Sequence, residues 1–476
     1  MIKLIKHQIR VFLKSTRAAI RIRRQGVNRR LAVLSFVFFG VLLAVFSQPT
    51  LSQDIPQNLN WRDEVTRLET TWEKQYEDYF NRDLAEVTLT SDDIAKILSR
   101  IASQTGSQPA VLWVAPQADY LKLILLTPDG EATGDVISQA DHITLMKQVQ
   151  RLYLEVTNPR RVETTSYLKP AQQLYQWIIQ PFETTLKEKG IDTLLLCTGP
   201  GLRTLPLGVL HDGQQFLVEK YSLTRIPAFN LLVDTNYENL QRGEVLAMGV
   251  SEFTEQNPLP AVPVELSNIV KPESEKEASL SNLLGQWPGK SFLNQMSTLQ
   301  NLETELAFNR FEIVHLATHA QFKAGKPENS YIQLWDTQLR LSQMKEMRWS
   351  SPPAELLVLS ACQTAVGDNN VELGFAGLAL QSGVKSALAS LWYVSDRGTL
   401  ALMSEFYQQL KAASTKAEAL KKAQIAMIRG KVRLQAGELF ISRGEVSLPP
   451  SLTSTTEEEL SHPFYWSGFT LIGNPW

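Results

Sequence analysis

The sequence predicts an α/β fold: a mostly parallel sheet covered by helices on both faces, preceded by a short helical segment and an N-terminal membrane segment. Three observations predict it. Short runs apolar on both faces recur along the chain, helical patterns fill the gaps between them, and a charge-free stretch follows a basic block near the start. Strands apolar on both faces, alternating with helices, belong to sheets buried on two sides.

The N-terminal part comes first. Residues 1–47 contain ten Lys or Arg (Lys3, Lys6, Arg10, Lys14, Arg17, Arg21, Arg23, Arg24, Arg29, Arg30) and no Asp or Glu. With those removed, 37 basic residues face 49 acidic ones, so residues 48–476 carry −12. Such a body excludes a nucleic-acid-binding role. Residues 31–47 (LAVLSFVFFGVLLAVFS) are seventeen uncharged positions. At 1.5 Å per residue they span about 25 Å, near the lower limit for crossing a bilayer. The basic block at 1–30 argues against a buried core helix. It fits an uncleaved anchor with its basic end in the cytoplasm, or a signal peptide with a long basic start and Ser47 near the cut. It also fits a basic segment lying on an anionic membrane surface. The first two readings place the body outside the cytoplasm. The anchor is preferred, with secretion or a periplasmic body after cleavage as the alternative.

Residues 48–60 carry Pro49 and Pro56 and read as a linker. In 61–80, Trp61, Val65, Leu68, Trp72, Tyr76 and Tyr79 recur near helical spacing, so this stretch reads as an amphipathic helix. A second helix is expected at 91–104, with Ser91 and Asp92 as cap candidates. Residues 48–94 thus form a linker and helical preamble, and no helical-array repeat is present. From residue 110, AVLWVAP and YLKLILLTP read as a hairpin, and TPDG at 127–130 as a turn. Helical patterns follow at 137–156 and 167–189. The buried strands are then DTLLLCTG, EVLAMGV (244–250), FEIVHLATHA (311–320), ELLVLSAC (355–362) and KSALASLWYV (385–394). Between them lie helical stretches at 262–285, 297–308, 372–382, 397–412 and 415–429. In such sheets, sites form beyond the carboxyl ends of the strands.

Two of these strands end in reactive groups. FEIVHLATHA carries His319 to its end, followed by Ala320, and ELLVLSAC ends at Cys362 before a polar loop. If the strands are neighbours, an imidazole and a thiol emerge on one edge. A thiol is mostly protonated at neutral pH, and a nearby imidazole can take its proton. A buried Cys at a strand end is also commonly just a small apolar side chain. His315 and His319 share a face and could hold a metal, but the Glu of a His-Glu-x-x-His helix is missing. Cys197 reads as a core residue. Cys197 and Cys362 are the only cysteines, so no disulfide framework exists and no paired Cys-x-x-Cys supports a structural zinc.

HLATHA, LSACQTAVG, GFAGLALQSGVKSALASLWYVSD and HPFYWSGFTLIG together resemble the CHAT peptidase family, which is caspase-like and related to separase. The upstream stretch from LYQWIIQPFETTL to KYSLTRIP is similar to that family's N-terminal half. The resemblance spans residues 95–476. It implies a caspase-like cysteine endopeptidase domain over those residues, with His319 and Cys362 as the catalytic pair. It further implies backbone N–H groups of Ala320 and Cys362 at the oxyanion, and no metal or organic cofactor. His315 carries over only as a structural neighbour. One departure is Ala320 where the family usually has Gly, which asks Ala to accept the local φ. The family's frequent helical repeats are absent. In separase relatives an LW-x-V-x-D segment gives an acid to the P1 pocket, so LWYVSD points to Asp396 and to cleavage after Arg or Lys. The competing reading of Ser395 and Asp396 is a helix cap. The implied partners are a protein substrate and an activating protein, both unidentified. The rival function is a membrane-tethered scaffold of the same fold without peptidase activity. Residues 429–461 interrupt the family pattern and read as an exposed surface loop, with self-cleavage there as a second reading.

Overall fold

The computed structural model describes residues 59–84, 88–271, 286–347, 349, 353–364, 369–453 and 458–476. The expected membrane segment at 31–47 lies outside the described residues. Among the described residues no helix is long and apolar enough to cross a membrane.

Helix α1 spans Trp61–Phe80, starting where the Asn60 side chain accepts from Arg62 N and ending at Asn81 in the left-handed region. Its stripe of Val65, Leu68, Trp72 and Tyr76 is buried in the same core as the sheet. Glu69, one turn along, is fully buried and accepts from Trp113 Nε1 (2.8 Å) and from the backbone N–H groups of Phe229 (3.1 Å) and Asn230 (2.9 Å). The expected preamble helix is therefore packed into the body rather than standing before it. Helix α2 spans Ser91–Thr105, and its cap is Thr90, paired with Asp93 in a capping box, one residue earlier than the expected Ser91.

The main sheet then begins. Strands β1 (Pro109–Pro116) and β2 (Leu121–Leu126) form the expected hairpin. β3 (Ala132–Ile137) extends it where a helix start was expected, so α3 runs only His142–Val156, capped by Asp141. Helices α4 (Leu168–Ile178) and α5 (Glu183–Glu188) are split near Pro181, which cannot donate a helical N–H. β4 (Thr193–Thr198), β5 (Ser222–Ile226) and β6 (Val245–Gly249) follow. Helix α6 occupies Val262–Ile269, and β7 occupies Gly289–Leu293. Then come α7 (Leu299–Phe308), β8 (Ile313–Phe322), β9 (Tyr331–Gln333), β10 (Gln338–Arg340) and β11 (Leu356–Thr364). Helices α8 (Asn369–Ala376) and α9 (Leu378–Ser382) lead to β12 (Ser386–Ser390), four residues shorter than expected at its end. Beyond Ser390, Leu391 N still bonds to Gly468 O in register with the last strand, and Trp392 Nε1 donates to Phe464 O. Helices α10 (Asp396–Leu410) and α11 (Lys416–Ile428) pack on the sheet.

The described residues between 429 and 461 carry strands rather than a plain loop. Strands β13 (Arg433–Gln435), β14 (Glu438–Ile441), β15 (Gly444–Ser447) and β16 (Glu458–Glu459) form a separate antiparallel sheet. Leu434, Leu439 and Leu452 are buried beneath it, and this apolar alternation holds the hairpins down. The last strand, β17 (Phe469–Gly473), returns to the main sheet.

The main sheet runs β10-β9-β8-β11-β12-β17-β5-β4-β1-β2-β3. β6 and β7 join it beside the first half of β8, while β9 takes the same flank of β8's second half. β7, β6, β8, β11 and β12 are mutually parallel, as are β17, β5, β4 and β1, and the two blocks meet antiparallel at β12 and β17. The fold is thus mixed α/β with a mostly parallel centre.

Beneath β11 and β12 lies a buried ionic cluster. Glu355, just ahead of β11, meets Lys385 at 2.6 Å and Lys416 at 3.0 Å, and Lys385 also reaches Asp234 at 3.1 Å. Glu355, Lys385 and Lys416 are each about 1% exposed. The cluster ties the starts of the two strands to the N-terminus of α11.

Candidate active site

β8 and β11 are direct neighbours, as the shared-edge expectation required. A β-bulge sits between Leu359 and Ala361, after which Ala361 pairs with His319 and Cys362 with Ala320. His319 is half-buried at the end of β8. Its Nε2–H donates to the backbone carbonyl of Asn257 at 2.8 Å. That bond leaves Nδ1 as the basic nitrogen of the neutral ring. Phe253 and Tyr393 pack against the imidazole, at ring-centroid distances of 4.7 and 6.3 Å.

Cys362 is wholly buried, and its thiol donates to Leu359 O at 3.5 Å. Burial pushes the thiol up to about 12. Its carbonyl accepts from Ser390 Oγ at 3.2 Å. The register has a direct consequence. Ala361 pairs with His319 and Cys362 with Ala320, so the two reactive residues stand one position out of step rather than side by side. Among the described residues no hydrogen bond joins imidazole and thiol. The two strands are brought together; the two reactive groups are not.

Ala320 lies in extended backbone, paired with Cys362 on one side and Ile332 on the other, and is not among the residues with positive φ. The family's Gly is therefore not required here. His315 is fully buried, with Nε2 at 3.0 Å from Glu265 Oε1 and Nδ1 at 3.1 Å from the Tyr407 hydroxyl. The two histidines thus serve separate partner sets. Among the described residues no group of three His, Cys, Asp or Glu is placed to hold a metal. Cys197 is buried, as a core residue should be, and its thiol donates to Pro227 O at 3.4 Å.

Asp396 opens α10, but the cap is Ser395, whose side chain accepts from Gly398 N at 3.1 Å. The Asp396 carboxylate reaches across to accept from Ala261 N at 2.6 Å, ahead of α6. Burial first, with the Glu265 carboxylate nearby adding to it, pushes Asp396 up to about 6. One segment therefore touches both proposed groups: Asn257 holds His319, and Ala261 holds Asp396. Sequence reasoning missed this segment because Asn257 and Ala261 act through their main chains. Glu265 did carry a signal, as the one charged residue in VPVELSNI.

The family model for the CHAT domain matches residues 168–474. The chain belongs to the CHAT domain family. No curated protein matches it. Among solved structures, the Saccharomyces cerevisiae separase of a separase–securin complex is similar at a TM-score of 0.50 and 11% identity. That match covers 87% of this chain and 34% of the other, so the chain spans about a third of that separase's length. A complex of Porphyromonas gingivalis RgpB pro- and mature domains matches at a TM-score of 0.38 and 11% identity, covering 70% of this chain and 77% of that one. The Arg-specific cysteine proteinase gingipain R matches at a TM-score of 0.36 and 10% identity, covering 69% and 74%. The likeness to separase is one of fold, seen here in the mixed sheet and its helices.

Proposed function

We propose that this CHAT-domain chain is a cysteine endopeptidase that acts through Cys362 and His319 and cuts after Arg or Lys. The observation that carries the reading is the orientation of His319 beside the Cys362 strand, with Nε2 held by Asn257 and Nδ1 left to accept a proton. His319 Nδ1 takes the thiol proton, and the thiolate attacks the scissile carbonyl carbon. The imidazolium then protonates the leaving amine, and water hydrolyses the thioester. Backbone N–H groups of Ala320 and Cys362 serve the oxyanion. Asp396 meets the cationic P1 side chain, consistent with its place beyond β12 and its half-buried carboxylate.

This chemistry requires a change from the resting arrangement. The tip of β11, residues 361–364, has to loosen so that the thiol leaves Leu359 O and turns to the imidazole. An activating protein is the simplest agent. The buried thiol, bonded to Leu359 O and not to an imidazole, also favours a second reading, a CHAT-fold scaffold without peptidase activity. The proposed setting is a membrane tether through residues 31–47 with the body outside the cytoplasm, which protease added to intact spheroplasts checks by digesting the body. For the enzyme, the measurement is labelling by a thiol-directed, Arg-containing activity probe, with and without cell extract. Labelling of the wild type but not of Cys362→Ala or His319→Ala supports the peptidase. Equal labelling of wild type and His319→Ala, or none under either condition, supports the scaffold.

A further inference from the structure

Beside His319 lies a cavity of about 310 Å³ whose lining includes Glu252, Phe253, Glu255, Gln256, Tyr331 and Trp335. Phe253 is shared with the imidazole, whose ring it contacts at 4.7 Å. We infer that this cavity is a second subsite for an Arg or Lys side chain of the peptide substrate, on the leaving-amine side of the scissile bond. The inference rests on the peptidase reading above and adds a residue preference to it.

Position gives the first argument. The segment from Glu252 to Ala261 meets three things in order along its length. It lines the cavity at 252–256, holds the imidazole through Asn257, and holds the Asp396 carboxylate through Ala261. A substrate strand passing the imidazole, with one side chain at Asp396, continues past the reacting carbonyl towards the cavity.

Chemistry gives the second. Among the described residues no Lys or Arg pairs with Glu252 or Glu255, both of which are exposed. Trp335 is 37% exposed at the turn between β9 and β10, presenting an open indole. Carboxylates flanking an aromatic face make a receptor for guanidinium or ammonium. The Tyr331 ring is already covered by the Lys323 ammonium, 4.9 Å above it, so Trp335 is the aromatic face left for a ligand. Gln256 Oε1 is buried without a partner, an acceptor for one of the five guanidinium N–H groups.

The walls are fixed before a ligand arrives. Leu259 N bonds to Ser251 O at 2.9 Å, closing the acidic loop on itself, and Ser251 N donates to Asn294 Oδ1 at 2.8 Å. On the facing wall Thr318 Oγ1 donates to Gln333 O at 2.6 Å, and Asp336 accepts from Leu299 N at 3.1 Å. Neither wall includes the tip of β11, so the subsite exists in the resting chain.

The experiment measures binding of fluorescein-labelled hexapeptides to the full chain carrying Cys362→Ala. One peptide has Arg at the cut position and Arg three residues later; its partner has Ala at the later position. The two-Arg peptide should bind about five- to thirtyfold tighter, a gap that narrows in high salt. In the Glu252→Gln/Glu255→Gln variant the two peptides should bind alike, and Trp335→Ala should lose part of the gap. Asp396→Asn should leave the gap intact. No difference between the peptides in the parent chain, or a gap that survives the double variant, overturns the subsite. Absence of any peptide cleavage by the wild type with cell extract added, with the gap present and Glu-dependent, would instead sink the peptidase reading and leave the cation site standing.

Discussion

The resting position of Cys362 makes a quantitative claim about its reactivity. With the thiol pushed up to about 12, the thiolate fraction at pH 7.5 is about three parts in 10⁵, against about one in ten for an ordinary thiol near 8.5. Alkylation by iodoacetamide should therefore run about 3,000-fold slower than for a free cysteine, and slower still because the sulfur is fully covered. The rate should climb about tenfold per pH unit well beyond pH 8.5, where an exposed thiol levels off. Stability follows the same group. Between pH 8.5 and about 12 the unfolded chain gives up the thiol proton while the folded chain keeps it. Folding stability then falls by about 1.4 kcal/mol per pH unit for this group. Cys197 is also buried, with its thiol raised well above its ordinary value, so the native chain should be nearly silent to the reagent. The assay is intact-mass spectrometry over time from pH 6 to 10, on the wild type and Cys362→Ser. Labelling of Cys362 at pH 7.5 at a free-thiol rate, with no other protein present, would refute this resting arrangement. Slow labelling that turns fast on adding an activator would report the release of the β11 tip.

Three further outcomes are expected. Because Asp396 is pushed up to about 6, its carboxylate forms as pH rises from 5 to 7, so cleavage after Arg should increase through that range. Asp396→Asn should remove that limb and lower kcat/KM for Arg substrates at least about thirtyfold, and an unchanged pH profile would exclude it from the P1 pocket. Glu355→Gln leaves the buried ammoniums of Lys385 and Lys416 short of a counter-charge, with Asp234 still 3.1 Å from Lys385. About 3–5 kcal/mol of stability should be lost by urea titration; less than about 1 kcal/mol would mean the cluster contributes little. Glu69→Ala orphans Trp113 Nε1 and the N–H groups of Phe229 and Asn230, so the urea midpoint should fall by more than about 3 kcal/mol in equivalent stability. A near-neutral result would show that α1 is not part of the cooperative core.

The sequence by itself determined the elements and the strands that carry the chemistry. Continuous apolar runs such as those at 193–198 and 356–362 need burial on both faces, and only a covered, mostly parallel sheet supplies it. The motifs around His319 and Cys362 placed both residues near the ends of what prove to be adjacent strands. Tertiary structure decided the rest. Whether imidazole and thiol face each other depends on register, and one bulge between Leu359 and Ala361 sets it. A shift of one residue exchanges faces, and nothing local to ELLVLSAC specifies which pairing β8 imposes. Beyond Ser390 the chain is held by distant residues, Leu391 by Gly468 and the Trp392 indole by Phe464. The insertion at 429–461 has apolar positions too few and too scattered to read as strands alone, yet they bury Leu434 and Leu439 once the hairpins pair. His319 is oriented by the carbonyl of Asn257, 62 positions earlier. Every residue has such a carbonyl, so only the folded chain selects which one reaches the ring.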